Sequence, residues 1–157
     1  MIKIREAKKS DLKQIKEMNW KFLEFYVENR FDKLIVKNHR SRNWGRKFVS
    51  RTFRNKKWKY FVAEKKNRLV GFISGKIDKY PPIFKENRFG YIWVVYIEKE
   101  FRGEGIGKKL IKEFIKWLKR KNIHTVENII AHSNIISKKI FNSLGFIELE
   151  KRYRLKI

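Results

Sequence analysis

The sequence predicts a single α/β domain that spans residues 1–157. Segments with helical apolar spacing alternate with short β-branched and aromatic segments, and no repeat, linker or low-complexity stretch separates them. The length corresponds to about one domain. Hydrophobic residues make up 42% of the chain, enough for a core despite a formal net charge of +25. The predicted order is β-α-α-β-β-β-α-β-α-β.

The first three elements follow from local patterns. Residues 2–5 alternate apolar and polar side chains, which predicts a short strand. Ser10 is the predicted N-cap of the first helix, with Asp11 in its positively polarised first turn. The apolar face of this helix comprises Leu12, Ile15, Met18, Phe22 and Leu23. A second helix is predicted over about residues 34–53.

The centre of the chain predicts three strands. Residues 58–63 and 69–77 are strand-like and are joined by a polar turn at residues 65–68, which indicates a hairpin. Two successive prolines, Pro81 and Pro82, then predict an extended loop. Residues 89–97 are β-branched and aromatic, as expected of a central strand.

The last third begins with a strongly amphipathic helix that starts at Ile106 and ends near residues 121–122. A strand follows at residues 126–131. The next helix covers residues 135–144, with Asn134 as its cap and Gly145 at the position after its end. Residues 146–155 are predicted to form a final strand or pair of strands.

The segment that connects the central strand to the amphipathic helix reads Arg102-Gly103-Glu104-Gly105-Ile106-Gly107. Glycine at alternate positions lets the backbone approach a ligand closely. The helix N-terminus that follows offers unpaired N–H groups and a positive dipole end. With Lys108 and Lys109 nearby, this turn is typical of a pyrophosphate-binding loop.

Two well-known phosphate-binding motifs do not fit this segment. A P-loop requires Gly-Lys-Ser/Thr after its second glycine, and that sequence is absent. A Rossmann fingerprint has different glycine spacing and lies in the first strand–helix turn. A glycine-rich turn needed only for packing stays open as an alternative.

Four regions together resemble the GNAT superfamily of N-acetyltransferases. Arg102, Gly105 and Gly107 match its motif A, and residues 95–103 are similar to the strand that leads into it. Residues 4–15 resemble the opening strand and helix. The spacing of Asn134, Ser137, Phe141, Gly145 and Phe146 resembles motif B.

The resemblance implies a mixed central sheet that is splayed between its fourth and fifth strands and flanked by about four helices. Acetyl-CoA would occupy the gap as co-substrate. Its pyrophosphate would contact the backbone of Arg102, Gly103, Glu104, Gly105, Ile106, Gly107 and Lys108. Its pantetheine arm would lie between the strand residues Val95, Tyr96 and Ile97 on one side and Asn134, Ser137 and Phe141 on the other.

The implied reaction is attack of an amine on the thioester, with the oxyanion held by the backbone N–H of Val95. The family often places a Glu shortly before this position, where this chain has Ile92, Trp93 and Val94. The Tyr that often serves as general acid is replaced by Phe141, which has no proton to donate. Glu28 is the candidate base, because the resemblance places the end of the first helix beside the acceptor groove. Glu24, Tyr26, Tyr96, Glu98 and His132 are also near that groove or the strand ends, and a surface or packing role stays open for each of the six.

Composition excludes several classes of protein. No apolar stretch approaches the roughly 20 residues that a membrane span requires. The N-terminus lacks a signal core, which predicts a cytoplasmic protein. The chain has no Cys, and His39, His124 and His132 lack the spacing of metal ligands, so no metal site is expected.

The distribution of positive charge indicates which kinds of partner the protein could bind. No acid occurs between Asp32 and Glu64, and the basic stretch at residues 37–59 also contains Trp44, Phe48, Phe53 and Trp58. Basic and aromatic side chains together suit nucleic acid or an acidic protein. Aromatic residues at such spacing are more often the buried face of a helix.

The expected acceptor is a protein amine or a small amine that bears a carboxylate or phosphate, because the positive charge disfavours polyamines. The alternative function is a nucleic-acid- or ribosome-associated binding module on the same fold with weak catalysis. We expect a monomer or a homodimer.

Overall fold

The computed structural model describes residues 1–32, 39–155 and 157, and of residues 39–42 it describes the backbone only. The strands are β1 (Lys3–Glu6), β2 (Trp58–Lys65), β3 (Arg68–Lys79), β4 (Arg88–Ile97) and β5 (Val126–Asn128). The helices are α1 (Leu12–Glu28), α2 (His39–Phe53), α3 (Ile106–Arg120) and α4 (Ile135–Asn142). Short 3-10 turns cover Lys9–Asp11 and Lys99–Phe101.

The five strands form one mixed sheet in the order β1-β2-β3-β4-β5. All neighbours are antiparallel except β4 and β5, which are parallel. The β4–β5 ladder covers only Gly90 to Ile92 on β4. Beyond Ile92, β4 pairs with β3 alone among the described residues. The sheet is therefore open between β4 and β5, which confirms the predicted mixed, splayed sheet.

The β2–β3 hairpin is also confirmed. Its two turn residues, Lys66 and Asn67, have φ angles of 49° and 60°. Positive φ at both central residues is the geometry of a two-residue turn that matches the twist of the flanking strands. The turn therefore sets the register in which Glu64 faces Leu69, and a β-bulge then shifts the pairing so that Ala63 faces Gly71.

A β-bulge at Trp93 changes which side chains of β4 face each helical layer. Ser74 of β3 pairs with Val94, whereas Gly75 pairs with Ile92, so Trp93 is the extra residue. Ile92 consequently packs into the core under α3, while Val94 packs into the core under α1 and α2.

The sheet separates two hydrophobic cores. The core on the α3 side includes Phe114, which is fully buried, and extends to Phe141 of α4. The core on the α1–α2 side is built around Ile15, Val49 and Phe72. Helices therefore cover both faces, and four helices accompany the sheet in the described part of the chain, in line with the prediction.

The predicted N-cap at Ser10 is wrong. Ser10 lies inside the 3-10 turn, and Asp11 is the residue that precedes α1. The Asp11 carboxylate accepts a hydrogen bond from the Lys8 N–H at 2.7 Å and pairs with the Arg5 guanidinium at 2.7 Å. The Asp11 carboxylate thus closes the 3-10 turn and joins it to β1, and it makes no side-chain capping hydrogen bond to α1. For α2, the predicted start near residue 34 lies outside the described residues.

The C-terminal predictions are partly wrong. Strand β5 ends at Asn128 rather than at residue 131, and no strand forms among the described residues after 146. Among the described residues, the predicted final segment at 146–155 pairs with no other strand. Ile147 and Leu149 are accordingly 78% and 70% exposed.

The predicted N-cap of α4 and the predicted glycine after its end are both confirmed. Asn134 caps the helix by accepting a hydrogen bond from the Ser137 N–H at 3.1 Å. Gly145 follows the helix with a φ of 89°, the left-handed conformation that ends many helices. Across the described residues, no helix is both long enough and apolar enough to cross a membrane.

Candidate active site

The loop that joins β4 to α3 has an open surface. Gly103 and Gly105 have φ angles of 87° and 72°, a conformation that favours glycine. At Gly103, Gly105 and Gly107, a Cβ atom would meet no heavy atom within 4 Å. Packing against the described part of the chain therefore does not require any of these glycines. The packing-only explanation is unsupported, and the loop presents a backbone surface that a ligand can approach.

The N-terminus of α3 adds hydrogen-bond donors to this surface. The first helical bond to Gly105 comes from the Lys109 N–H, at 3.2 Å. The N–H groups of Ile106, Gly107 and Lys108 precede that bond and have no acceptor within the helix. Gly105 is the N-cap and has no side chain to satisfy them. These donors and the helix dipole together favour an anion.

Side chains around the loop fix its position. Arg102 donates from Nε to the Ile97 carbonyl at 3.0 Å, and its guanidinium lies 4.9 Å from the centre of the Phe25 ring. The Arg102 N–H donates to the Lys99 carbonyl at 3.3 Å. Arg102 therefore anchors the loop to β4 and α1. Glu104 is paired with Lys65 at 2.9 Å, which offsets its negative charge beside the loop.

The end of β4 is rigidly held on the α1 side. Tyr96 is buried and donates to the Glu98 carboxylate at 3.3 Å, and Lys21 of α1 binds the same carboxylate at 2.8 Å. Burial, followed by the negative charge of Glu98, raises the pKa of Tyr96 to about 12. The side chains of Val95 and Ile97 are half-buried on the opposite face, against the α3 core.

The motif B residues divide into two groups. Asn134 and Ser137 lie in the first turn of α4 and are half-buried. Phe141 is only 6% exposed, and its ring packs edge-on against Phe146 with 4.9 Å between centroids. Phe141 is therefore part of the core in this structure. Glu28 is the last residue of α1, and its side chain is exposed.

A second polar cluster, not identified from the sequence, lies where the sheet opens. The parallel register places Tyr91 beside Glu127, one residue before the last β4–β5 pair. The Tyr80 hydroxyl donates to the Glu127 carboxylate. Burial, that hydrogen bond and the carboxylate charge all raise the pKa of Tyr80. We call Tyr80, Tyr91 and Glu127 the vertex cluster.

Tyr26 of α1 and Arg152 of the C-terminal segment lie near the vertex cluster, since both act on the pKa of Tyr91. Burial raises the pKa of Tyr26 on α1, while a backbone hydrogen bond from Ala131 opposes that rise. Burial raises the pKa of Tyr91, and the positive charge of Arg152 opposes it. No sequence signal pointed to this site, because the partner of Glu127 depends on a register that the sequence does not reveal. No group of three or more metal-ligating residues occurs among the described residues.

The structure is thus an α/β fold with an open mixed sheet, whose fourth strand leads through a glycine loop into a helix N-terminus that favours an anion. The family model described as "Acetyltransferase (GNAT) family" matches residues 13–146. The chain belongs to this family.

Related sequences agree with this assignment. An uncharacterised N-acetyltransferase of Methanocaldococcus jannaschii is 28% identical over 149 residues, covering 94% of this chain and 61% of the relative. An L-2,4-diaminobutyric acid acetyltransferase of Wolinella succinogenes is 36% identical over 86 residues, covering 54% of this chain and 47% of the relative. The chain thus spans about half to three-fifths of the length of these two relatives.

Solved structures share the fold. The BH1408 protein of Bacillus halodurans superposes with a TM-score of 0.86 at 19% identity, covering 99% of both chains. An acetyltransferase of Clostridium acetobutylicum, solved with acetyl-CoA, superposes with a TM-score of 0.80 at 20% identity. That match covers 99% of this chain and 96% of the other.

Proposed function

We propose that this protein is an acetyl-CoA-dependent N-acetyltransferase that acetylates a primary amine bearing an anionic group. The observation that carries the proposal is the open glycine loop at the N-terminus of α3, which adjoins the unpaired edge of β4. Family membership supports the same activity.

The residues present fit the coenzyme, because a side chain at any of the three loop glycines would fill the open surface. The N–H groups from Gly103 to Lys108 would hold the pyrophosphate, with Lys108 and Lys109 adding positive charge. Arg102, whose own N–H is already engaged, would position this loop. The β4 edge from Trp93 to Ile97 would pair with the pantetheine arm, opposite Asn134 and Ser137.

Bound acetyl-CoA would supply a thioester: the neutral amine attacks its carbonyl carbon, a C–N bond forms as the C–S bond breaks, and coenzyme A leaves as a thiolate that takes up the proton released by the amine. The residues of this chain would stabilise the developing oxyanion and orient the thioester towards the amine. We assign the oxyanion contact to the backbone N–H of Val95, which lies on the β4 segment without a β5 partner. A backbone donor in a fixed strand needs no reorganisation during the reaction, which is why such contacts contribute strongly.

The vertex cluster is our candidate for binding the acceptor. An acceptor amine is protonated at neutral pH, and a half-buried carboxylate flanked by tyrosine rings suits an ammonium group. Glu127 has that environment, whereas Glu28, the base assigned from the sequence, is exposed. We propose that Glu127 binds the acceptor ammonium and that Glu28 is the second carboxylate to be tested as a base.

Three observations support an anionic acceptor. The positive charge of Arg152 acts on Tyr91 beside Glu127. The net charge of +25 attracts anions and repels polyamines. The Wolinella relative is named for acetylation of diaminobutyric acid, a molecule that carries both amines and a carboxylate.

The test is a thiol-release assay with acetyl-CoA and four acceptors: L-2,4-diaminobutyrate, a lysine-containing acidic peptide, a neutral peptide and putrescine. We expect turnover with the two anionic acceptors and little with putrescine. If putrescine is the best substrate, the electrostatic argument for the acceptor is wrong. If none of the four releases coenzyme A while acetyl-CoA binds, the acceptor class is wrong but the coenzyme site is retained.

Matched variants separate the two carboxylates. Glu127→Gln should raise the KM for the acceptor about tenfold, because it removes one charge-assisted contact, and leave acetyl-CoA affinity unchanged. Glu28→Gln makes the same chemical change at an exposed position and is the control for the acceptor KM. A fall in kcat with Glu28→Gln that disappears at high pH would identify Glu28 as the base. An unchanged acceptor KM in Glu127→Gln would exclude the vertex cluster as the acceptor site.

A further inference from the structure

A basic groove runs between α1 and α2, on the face of the sheet opposite α3. Two adjoining depressions share Lys16 and Arg46 and together make this groove. Its basic lining residues are Lys13, Lys16, Arg46, Lys47, Arg51 and Arg54. Within the described part of the chain, the acid that lines it is Glu17, which is paired with Arg46.

Two exposed tryptophans lie near the cations of α2, one on the helix itself and one on the open edge of β4. Trp44 stacks on Phe48 with 5.1 Å between centroids, and Trp93 of β4 stacks on Phe48 at 5.3 Å. Trp44 is 52% exposed and Trp93 is 42% exposed, so both offer ring surface to solvent. Phe48 itself is buried. The aromatic residues of this stretch are therefore divided between core and surface.

The spacing along α2 places charge and aromatic surface together. Trp44, Lys47 and Arg51 are all exposed, at intervals of three and four residues. Residues at such intervals lie along one face of a helix. Arg54, also exposed, follows directly after the helix end. One face of α2 thus carries a tryptophan at one end and a row of cations towards the other.

The groove is separate from the proposed coenzyme loop. Its α1 residues, Lys13 and Lys16, lie at the start of the helix, whereas Phe25 near the helix end contacts Arg102 of the loop. From Lys13 to Phe25 the helix rises about 18 Å. The cations of the groove are therefore not accounted for by coenzyme binding.

We propose that this groove binds single-stranded nucleic acid, with the phosphate backbone along the cations and an unpaired base on Trp44, which shares a helix face with Lys47 and Arg51. A positively charged groove beside exposed aromatic rings is the combination that single-stranded nucleic acid uses, because every base has a π face. An acidic peptide would use the charges but has no equivalent need for stacked tryptophans. The aromatic rings favour nucleic acid.

Fluorescence anisotropy with labelled U16 RNA and dT16 DNA tests the proposal on the full chain. We expect binding that weakens steeply between about 50 and 200 mM salt, as phosphate contacts require. Saturating acetyl-CoA should leave this affinity unchanged because the two sites are apart. The two oligonucleotides distinguish RNA from DNA as the preferred strand.

Matched variants locate the site. Lys47→Gln with Arg51→Gln should weaken binding about tenfold or more and reduce the salt slope by about one to two. Lys112→Gln with Lys119→Gln removes the same charge from exposed positions on α3 and should change affinity little. Trp44→Leu should weaken binding about fivefold or more through lost stacking. All these positions are exposed, and thermal unfolding checks that each variant folds.

Three results would overturn the proposal. One is no measurable binding of either strand at the lower salt concentration. Another is an equal loss of affinity in the groove and α3 variants, which would mean that net charge alone binds the strand. The third is poly-glutamate binding as tightly as U16 with no effect of Trp44→Leu, which would assign the groove to an acidic polypeptide. Each leaves the acetyltransferase proposal standing, since that is measured by coenzyme release.

Discussion

At the residue scale, the Arg5–Asp11 pair shows how one side chain can fix an element boundary. Asp11 is 6% exposed and accepts hydrogen bonds from Arg5 and from the Lys8 backbone. Arg5 also binds Glu64 of β2 at 2.7 Å. This network joins β1, the start of α1 and β2. The hydrogen bond and charge of Arg5 lower the pKa of Asp11 despite the opposing effect of burial.

The depressed pKa of Asp11 makes a pH-dependent contribution to stability. A carboxylate with a lowered folded-state pKa stabilises the fold above its unfolded pKa of about 3.9, and the stabilisation is lost as pH falls through the lower folded value. Asp11→Asn should therefore lower the free energy of unfolding by about 2 kcal/mol at pH 7. The difference from the parent should shrink below about pH 4.

Urea denaturation of both proteins at several pH values measures this effect. Asp78→Asn is a suitable control, since the pKa of Asp78 is also lowered but its side chain is 43% exposed beside Lys76. A deficit in Asp11→Asn that is the same at acidic and neutral pH would show that charge at Asp11 is not the cause.

Residue-level prediction from sequence succeeded where the chemistry is local. The capping role of Asn134 and the left-handed Gly145 after α4 depend on intrinsic preferences and were predictable. Ser10 was wrongly chosen over Asp11 because the deciding partner, Arg5, approaches from β1. The vertex cluster was missed for the same reason, since Glu127 meets Tyr91 only through the parallel register.

At the element scale, α4 is short, at eight residues, and depends on its cap. Asn134→Ala should destabilise the protein by about 1 kcal/mol, because the Ser137 N–H loses its acceptor. Asn134→Asp preserves an acceptor and should restore most of that loss. Thermal unfolding measures both variants. Equal stability of the parent and the alanine variant would show that the cap is not needed to hold α4.

Elements with strong intrinsic patterns were predicted well, and those set by tertiary context were not. The hairpin and α3 follow from turn residues and amphipathic spacing. The bulge at Trp93 has no sequence signature, yet it decides which face Val94 and Val95 present. The C-terminal segment has strand-like alternation, but a strand requires a partner, and β5 pairs over three residues only.

At the scale of the whole molecule, the fold brings part of the positive charge together at two separate places. The sequence spreads basic residues along the entire chain. The structure collects one group around the groove between α1 and α2 and another beside the loop at α3. Opposite ends of α1 adjoin these two regions. The proposed coenzyme site and the proposed nucleic-acid groove therefore draw on different basic residues.

The loop proposed to bind the coenzyme contains Gly107, and a substitution at this glycine is expected to leave the fold intact. Gly107 lies in the first turn of α3 without positive φ, and its Cβ position is open. The positive end of the helix dipole stabilises a carboxylate at this position, and replacing glycine improves helix propensity. Gly107→Glu should therefore be at least as stable as the parent while placing negative charge against the coenzyme phosphates.

Isothermal titration calorimetry with acetyl-CoA on the parent, Gly107→Glu and the neutral isostere Gly107→Gln is the most direct test. We predict one coenzyme bound per chain in the parent, weaker binding in the glutamine variant from bulk alone, and a loss of about hundredfold or more in the glutamate variant. Parent-like affinity in a folded Gly107→Glu protein would contradict the assignment of this loop as the coenzyme site.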